Sequence, residues 1–458
     1  MKHSVSELVL DNGAKGLLVH VPAANVMTFE FNFRAGEYLV EEKKWEVPHI
    51  MEHVLLGANE RIPRARDFQA ELEKNGAYSN ASTSVYDINY EAECADFEWE
   101  RVLDLMLAAV TKPLFLREEY KAEYGNVWEE LTARSNNHFR HLSLALRQAY
   151  GFLAKTDQER LKLMKNVRLA DVVEHYKMTH GTNNMRFVIA GNLTPKREES
   201  IRAILEAIEL PKGRRFALPN EKPHTLAQPL YIHNQTVKNI YFYIDTFAKR
   251  RLEIEESDAL HLANTILTET LHSKILGKAR ERGLVYDMSS GVHEAKLASS
   301  WWFGAQVSPK NAPELFDIIM HELTEVFDGR LSNEEIEAAQ AYSLGRFQRG
   351  AQTVGGTAGG YSERYFFDEV IEDYYQIPKR IHSITKTGIL DVARTMFADN
   401  IWGMGALTRS DEKVVGDLRG QLSTLWQHPM LNNSKKVSEV LEVSKGQAKD
   451  QIALKDNG

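Results

Sequence analysis

Two histidines and a glutamate lie within five consecutive positions, in the segment His49-Ile50-Met51-Glu52-His53. In a helix, residues four apart share a face, so His49 and His53 can reach one ion while Glu52 lies beside them. Imidazole and carboxylate are suitable zinc ligands, and three protein ligands leave the fourth position to water. Zinc lowers the pKa of that water, and an adjacent carboxylate can pass its proton to a leaving amine. The segment therefore predicts most of a zinc (Zn²⁺) peptidase site.

A charged stretch further along the chain supplies a candidate third ligand. Glu123 and Glu130 are seven residues apart, about two helical turns, and therefore share a helix face. We expect Glu130 to bind the metal and Glu123 to orient a metal-bound histidine through its ring N–H. Glu129 points roughly a hundred degrees away and is the weaker candidate. The alternative interpretation of all these residues is polar side chains on helices near the surface.

Composition limits the domain count and the class of partner. A chain of 458 residues is too long for one ordinary core, so two domains or a repeated pair are expected. A net charge of −8, without a basic cluster among aromatic residues, argues against nucleic acid as a partner. The single cysteine, Cys94, excludes an internal disulfide and a thiolate zinc site. A bound metal must therefore use histidine and carboxylate ligands.

The N-terminal sequence and the apolar segments argue against membrane targeting. Residues 1–7 lack the apolar core of a signal peptide, and the longest apolar stretch, 105–110, is too short to span a bilayer. We therefore expect a soluble, cytoplasmic protein without a membrane partner.

Alternating apolar residues predict a sheet before the zinc motif. Residues 17–21 and 27–33 are typical of antiparallel strands with one buried face. A helix is expected from Pro48 to near Gly57, because proline suits the first helical turn. A strand over 79–91 and an amphipathic helix over 96–110 follow. Strands and helices mix without strict alternation, which favours the α+β class.

A weak internal repeat predicts two related domains. Residues 184–194 and 400–408 are similar apolar segments that each follow a predicted helix. Residues 230–232 and 240–244 repeat the opening pair of strands, after a polar, proline-bearing connection. We assign residues 1–215 to a zinc-bearing α+β domain, 216–225 to a linker, 226–432 to a homologous second domain, and 433–458 to a polar tail.

These motifs together resemble the pitrilysin/insulinase family of inverted zincins, which includes mitochondrial processing peptidase and small bacterial relatives. The order from His49-x-x-Glu52-His53 to the two downstream glutamates agrees with the family pattern. Residues 75–84 look like the family's edge strand, to which a peptide substrate adds by main-chain hydrogen bonding. On this resemblance the substrate-binding positions are Asn80, Ala81 and Ser82.

A second-domain motif extends the resemblance. Residues 280–286 look like the family's arginine/tyrosine motif, in which tyrosine donates a hydrogen bond to the substrate carbonyl or oxyanion and arginine holds the peptide. The resemblance implies these roles for Tyr286 and for Arg280 or Arg282. An ordinary strand aromatic is the alternative for Tyr286. The family's chamber needs four such domains, and both motifs lie on this chain, so a homodimer is implied.

Three positions, Glu46, Pro48 and Ala279, depart from the family pattern. Glu46 stands where the family usually has glycine, three residues before the first histidine, and Pro48 directly precedes that histidine. The family's arginine commonly stands seven residues before the tyrosine, where this chain has Ala279. Entry into the zinc helix therefore differs, and either nearby arginine can be the one that acts.

Two function classes follow from the sequence. The first is a zinc-dependent endopeptidase for short or unfolded peptides. The second is a catalytically silent structural or partner subunit of the same family. Silent members usually lose motif residues, whereas His49, Glu52, His53 and Glu130 are all present. The sequence therefore favours the endopeptidase.

Overall fold

Segments of alternating apolar residues form two sheets in the computed structural model, which describes residues 1–431. The predicted tail at 433–458 lies outside these residues. The first sheet contains β1 (Ser4–Val9), β2 (Lys15–His20), β3 (Val26–Phe33), β4 (Tyr78–Thr83), β5 (Ile88–Ala95) and β6 (Met185–Gly191). The second contains β7 (Leu230–His233), β8 (Ile240–Ala248), β9 (Met288–Glu294), β10 (Ser299–Val307) and β11 (Ile401–Thr408).

The helices are, in chain order, α1 (Val47–Leu55), α2 (Ala65–Glu73), α3 (Trp99–Thr111), α4 (Arg117–Arg134), α5 (His138–Ala149), α6 (Asp157–Met164), α7 (Leu169–Thr179), α8 (Pro195–Glu206), α9 (Ile254–Asn264), α10 (Leu276–Glu281), α11 (Ala312–Phe327), α12 (Asn333–Gly350), α13 (Val354–Asp368), α14 (Ile377–Ser383), α15 (Lys386–Ala398) and α16 (Glu412–Ser423). Pro48 occupies the first turn of α1 as predicted, where its missing N–H has no intrahelical partner to lose. Within residues 1–431, no helix is both long and apolar enough to cross a membrane.

The first sheet is covered by helices on both faces. Its strand order is β1-β2-β6-β3-β5-β4, with only the β2–β6 pair parallel. Phe29, Phe31 and Phe33 of β3 are fully buried on the face that packs against α1 and α3, and each burial contributes about 1.5–3 kcal/mol. The opposite face packs against α13, which explains why every residue of the central strand β6 is buried.

The second sheet repeats this arrangement. Its order is β7-β11-β8-β10-β9, again with one parallel pair, β7–β11. One face packs against α9, α11 and α15, and the other against α5. Strands β2, β6, β3, β5 and β4 thus correspond in order and direction to β7, β11, β8, β10 and β9. Both sheets are mostly antiparallel and packed with helices, which confirms the predicted α+β class.

Two compact units contain the two sheets, and neither unit is one continuous segment. Unit 1 comprises Met1–Asn136, Lys155–Pro219 and Arg346–Tyr374, and unit 2 comprises the intervening segments and residues 375–431. Helix α5 therefore belongs to unit 2 although it precedes the predicted linker, and α13 belongs to unit 1 although it follows it. One change of unit, between Pro219 and Asn220, falls within the predicted linker 216–225.

The prediction of one strand over residues 79–91 is wrong. The segment forms a hairpin, β4 and β5, whose connection is closed by a hydrogen bond from Ser84 N to Asp87 O at 2.8 Å. Ser84 Oγ also accepts the backbone N–H of Asp87, at 3.1 Å. Such local side-chain hydrogen bonds favour a turn over a continuous strand. Apolar residues alternate along β5 but not along the mostly polar β4, so the alternation does not reveal the turn between the two strands.

A carboxyl group beneath α5 makes the stability of unit 2 depend on pH. Asp245 of β8 accepts a hydrogen bond from Tyr150 Oη at 3.0 Å. Burial raises the pKa of Asp245 to about 7, against the opposing effect of that hydrogen bond. The folded chain therefore binds this proton more tightly than the unfolded chain, and stability falls as pH rises from about 4 to 7.

Asp245→Asn is expected to remove that pH-dependent loss. The neutral amide has no charge to desolvate, so the stability of the variant relative to wild type should be higher at pH 8 than at pH 4 by on the order of 4 kcal/mol. Thermal unfolding of both proteins at the two pH values measures the difference. Asp417→Asn, on an exposed aspartate of α16, should behave like wild type at both. An equal effect of Asp245→Asn at both pH values contradicts the prediction.

Candidate metal centre

Helix α1 holds the two histidines because its other face is anchored in the core of unit 1. Val47, Ile50, Met51, Val54 and Leu55 are all at most 2% exposed. This apolar stripe follows helical spacing and fixes the rotation of the helix. The motif residues are left on the remaining face, and the two imidazole rings lie 5.1 Å apart at 79°. The predicted placement of both rings on one face is what the structure shows.

Helix α4 brings Glu130 to both imidazoles. Its Oε2 lies 3.2 Å from Nε2 of His49 and 3.4 Å from Nε2 of His53. Two atoms that each lie about 2.1 Å from a tetrahedral zinc ion are about 3.4 Å apart, so these separations suit one shared ion. Arg134 contacts the other oxygen, Oε1. Glu129 is exposed, so the structure places Glu130 and not Glu129 at the cluster.

Glu123 lies seven residues, about two helical turns, before Glu130 on α4 and contacts the other ring nitrogen of His53. Its Oε2 lies 3.1 Å from Nδ1 of His53, which leaves Nε2 directed at Glu130. Asn126 donates to the same oxygen at 3.1 Å and helps to hold the carboxylate. A carboxylate on the far ring nitrogen fixes the ring orientation and raises the basicity of the ligating nitrogen. This is the position that the sequence predicts for Glu123.

Glu52 lies beside the two histidines and lines a cleft next to them. The candidate ligand atoms of His49, Glu52 and His53 all lie within 4.8 Å of one another. Thr83 Oγ1 of β4 donates a hydrogen bond to Glu52 Oε2 at 3.2 Å, a contact that the sequence does not reveal. Burial raises the pKa of Glu52, with the two imidazoles acting in the opposite direction. A carboxylate poised in this way can both accept and release a proton.

Strand β4 forms the edge of the sheet beside Glu52. Asn80, Ala81 and Ser82 lie on this terminal strand, with their side chains alternating between exposed and half-buried positions. A cleft of about 320 Å³ runs between β4, α1 and α2, and Asn80, Ala81, Glu52 and His53 contribute to its walls. Within residues 1–431, no strand pairs with the outer edge of β4. The edge and the cleft therefore meet at the cluster.

The hairpin that carries Thr83 is positioned by a close approach to Gly36. A Cβ atom at Gly36 would lie 2.3 Å from the carbonyl oxygens of Ser84 and Val85. Tyr38 N donates to Val85 O at 3.1 Å in the same contact. Only glycine permits this approach, which seats the end of β4 next to Glu52.

The electrostatics of the cluster favour a cation. Burial lowers the pKa of His53, but hydrogen bonds to Glu123 and Glu130 outweigh it and raise that pKa to about 10. The pKa of His49 is also raised despite burial, while hydrogen bonds from the two imidazoles hold the pKa of Glu130 well below its usual range. The imidazoles and carboxylates of the cluster together stabilise positive charge between them. A divalent ion supplies such charge in competition with protons, so the residues present fit zinc.

Comparison with known proteins identifies the family. Residues 30–160 match the family model described as insulinase (peptidase family M16), and residues 166–342 match the one described as the peptidase M16 inactive domain. The chain belongs to the pitrilysin/insulinase family. All of the metal-centre residues described above lie in the first matched segment, outside the segment that is described as inactive.

Sequence similarity within the pitrilysin/insulinase family is low. The chain is 26% identical to insulin-degrading enzyme-like 2 of Arabidopsis thaliana over 113 residues, 25% of this chain and 12% of that protein. It is 22% identical to insulin-degrading enzyme of Drosophila melanogaster over 241 residues, 49% of this chain and 23% of that enzyme. The chain thus matches less than a quarter of either relative.

A solved structure shares the fold over a longer span. A protease from Helicobacter pylori superposes with a TM-score of 0.79 at 16% identity, covering 89% of this chain and 100% of that one. At this identity the likeness concerns the fold alone.

One departure from the family pattern has a structural counterpart that the sequence alone does not show. Glu46, at the usual glycine position, is completely buried at the start of α1, and its Oε2 lies 3.1 Å from Nδ1 of His49. Arg160 of α6 binds the same carboxylate with two nitrogens, at 2.5 and 2.9 Å. In the sequence, the presence of glutamate at the family's usual glycine position was the feature that pointed to Glu46. No sequence signal pointed to Arg160.

The arginine/tyrosine motif expected from the family lies in unit 2. Tyr286 is 83% exposed and lines a cleft of about 510 Å³ within that unit. The guanidinium of Arg280 lies over its ring, 4.8 Å from the centroid, and also donates to its main-chain carbonyl. Arg282 instead forms an exposed ion pair with Glu314 at 3.3 Å. Of the two candidates, Arg280 is the one in contact with Tyr286.

Proposed function

We propose that the chain is a zinc-dependent endopeptidase that hydrolyses peptide bonds in short or unfolded peptides. The observation that carries this proposal is that Glu130 Oε2 lies 3.2 Å from His49 Nε2 and 3.4 Å from His53 Nε2, separations suited to ligands of one tetrahedral ion, with Glu52 within 4.8 Å of both histidines. When bound, zinc supplies a Lewis acid that polarises a carbonyl and makes a water molecule acidic near neutral pH. Family membership supports the same chemistry.

Glu52 is the proposed proton carrier. Its carboxylate accepts the proton that the attacking water loses and delivers it to the amine that leaves. The hydrogen bond from Thr83 orients the carboxylate and leaves its other oxygen for this exchange. Glu123 keeps the His53 ring in the orientation that presents Nε2. All of these residues belong to unit 1.

The peptide is proposed to bind as an added strand. The outer edge of β4, which carries Asn80, Ala81 and Ser82, pairs with no strand within residues 1–431, and its alternate main-chain groups offer the hydrogen-bonding pattern that an extended peptide needs. Folded proteins rarely expose such an extended segment, which favours short or unfolded substrates. As the family resemblance implies, Tyr286 is proposed to donate to the substrate carbonyl and an arginine, Arg280 or Arg282, to hold the peptide. A homodimer is proposed on the same ground.

Digestion of unstructured peptides with and without a zinc chelator tests the proposal. We expect mass spectrometry to show internal cleavage that stops when zinc is removed and resumes when one equivalent is returned, because the proposed ligands serve one ion. Metal analysis of each sample verifies the zinc content. Cleavage that persists after complete zinc removal contradicts the proposed chemistry. Stoichiometric zinc without any cleavage would instead favour a catalytically silent subunit.

A further inference from the structure

A buried ion pair stands directly behind the first histidine. Arg160 binds Glu46 in a bidentate manner, and both groups are removed from water, with side-chain exposures of 11% and 0%. Two further carboxylates flank the guanidinium, Glu37 at 4.0 Å and Asp157 at 3.8 Å. Such burial is tolerated only when each charge has partners of good geometry. Glu46 is therefore held as an ionised acceptor by its neighbours.

The two members of this pair compete for the same nitrogen of His49. Nδ1 lies 3.1 Å from Glu46 Oε2 and 3.3 Å from Arg160 Nη2. With a proton, Nδ1 donates to Glu46; without one, it accepts from Arg160. In the neutral ring these choices have opposite results for Nε2, since the first leaves it a lone pair and the second gives it the proton. Only the first form can bind a metal through Nε2.

We propose that Glu46, held in place by Arg160, selects the Nδ1–H form of His49 and so presents Nε2 to the metal. Glu46 is thus a positioning residue, and the inference rests on the proposed zinc site. Glu46 Oε2 lies closer to Nδ1 than Arg160 Nη2 does, and Arg160 Nη2 already donates to that same Glu46 oxygen at 2.9 Å. His53 has the equivalent partner in Glu123, also at 3.1 Å.

This arrangement gives each histidine its own carboxylate. The glutamate behind His53 follows the family pattern, whereas the one behind His49 occupies the family's usual glycine position. The chain therefore adds a support for the first ligand that the family motif does not specify. A purely structural role, in which the ion pair only ties α6 to α1, predicts a loss of stability from its removal but no change in the ring's protonation.

Zinc affinity of three variants separates these roles. In Glu46→Gln the neutral amide no longer attracts the Nδ1 proton, and Arg160 can donate to the ring, so we expect zinc to bind about 10- to 100-fold more weakly. In Glu46→Gln/Arg160→Met the competing donor is gone, and part of the affinity should return. Asp157→Asn, which removes a charge 3.8 Å from Arg160 Nη1 but leaves Glu46 and its contact with His49 in place, should bind zinc like wild type.

Competition with a chelator of known affinity measures these constants, and the visible spectrum of the cobalt-substituted proteins reports the ligand geometry. Circular dichroism and thermal unfolding establish that each variant is folded. Wild-type affinity in Glu46→Gln overturns the proposal. So does a double variant that binds no better than the single one, or an Asp157→Asn variant that loses as much as Glu46→Gln.

A second readout needs neither zinc nor catalysis. Long-range ¹H–¹⁵N spectra of the metal-free protein, in alkaline buffer where the ring is neutral, show which nitrogen of His49 carries the proton; His49→Gln assigns the signal. We expect Nδ1–H in wild type and a shift towards Nε2–H in Glu46→Gln. If the same nitrogen of His49 carries the proton in wild type and in Glu46→Gln, the proposal is overturned. A wild-type chain that binds no zinc contradicts the proposed function, while this experiment still decides the role of Glu46.

Discussion

Glu52→Gln is expected to slow peptide cleavage by about 10²- to 10⁴-fold while leaving zinc bound. The amide has the shape of the carboxylate and can still accept the Thr83 hydrogen bond, but it cannot take a proton from water and return it to the leaving amine. Because such proton transfer contributes about 10²- to 10⁴-fold, kcat should fall by that factor with little change in KM. Steady-state kinetics on a fluorogenic peptide and zinc analysis of the same sample measure both effects.

The matched control is Glu60→Gln, a change of the same kind at an exposed glutamate beyond the end of α1. It should leave kcat, KM and zinc content unchanged. Preserved turnover in Glu52→Gln would remove Glu52 from the proposed mechanism. Loss of zinc together with activity would give it a different role, that of a ligand, since its carboxylate lies close to both histidines.

The parts of the site that depend on local helix geometry could be predicted from the sequence. The four-residue spacing of His49 and His53 and the seven-residue spacing of Glu123 and Glu130 are properties of a helix, whatever it packs against. The same geometry separates Glu130 from Glu129. The structure places these residues as expected, with Glu130 shared by both histidines.

The parts that depend on tertiary packing could not be predicted. Arg160 lies 114 positions from Glu46, and Thr83 lies 31 positions from Glu52, so no periodicity links the members of either pair. The assignment of α5 to unit 2 and of α13 to unit 1 could not be predicted for the same reason. Each is an amphipathic helix, and the apolar stripe shows that it packs on something without showing which sheet that is.

Glu130→Gln is expected to weaken zinc binding by more than about 100-fold. Changes in groups that only support a ligand already cost 10- to 100-fold, and this one removes a charged ligand that faces both imidazoles. Glu129→Gln, at the exposed neighbouring position, is the control and should bind like wild type. Competition with a chelator gives the two constants. Equal losses of zinc affinity in both variants would mean that the face of the helix on which a glutamate lies does not decide which one is the third ligand.

Thermal unfolding provides an independent measure of the same change. A ligand that binds only the folded state stabilises it by RT ln(1 + [L]/Kd), so a 100-fold loss of affinity removes about 2.7 kcal/mol of zinc-dependent stability at saturating metal. The ion pairs of Glu130 with both imidazoles and with Arg134 also stabilise the metal-free fold, so Glu130→Gln should lower the unfolding temperature before zinc is added. The test is therefore the increase in stability that zinc gives to each protein, which should be smaller by this amount in Glu130→Gln. An equal increase in both proteins would show that Glu130 supports the fold and not the metal.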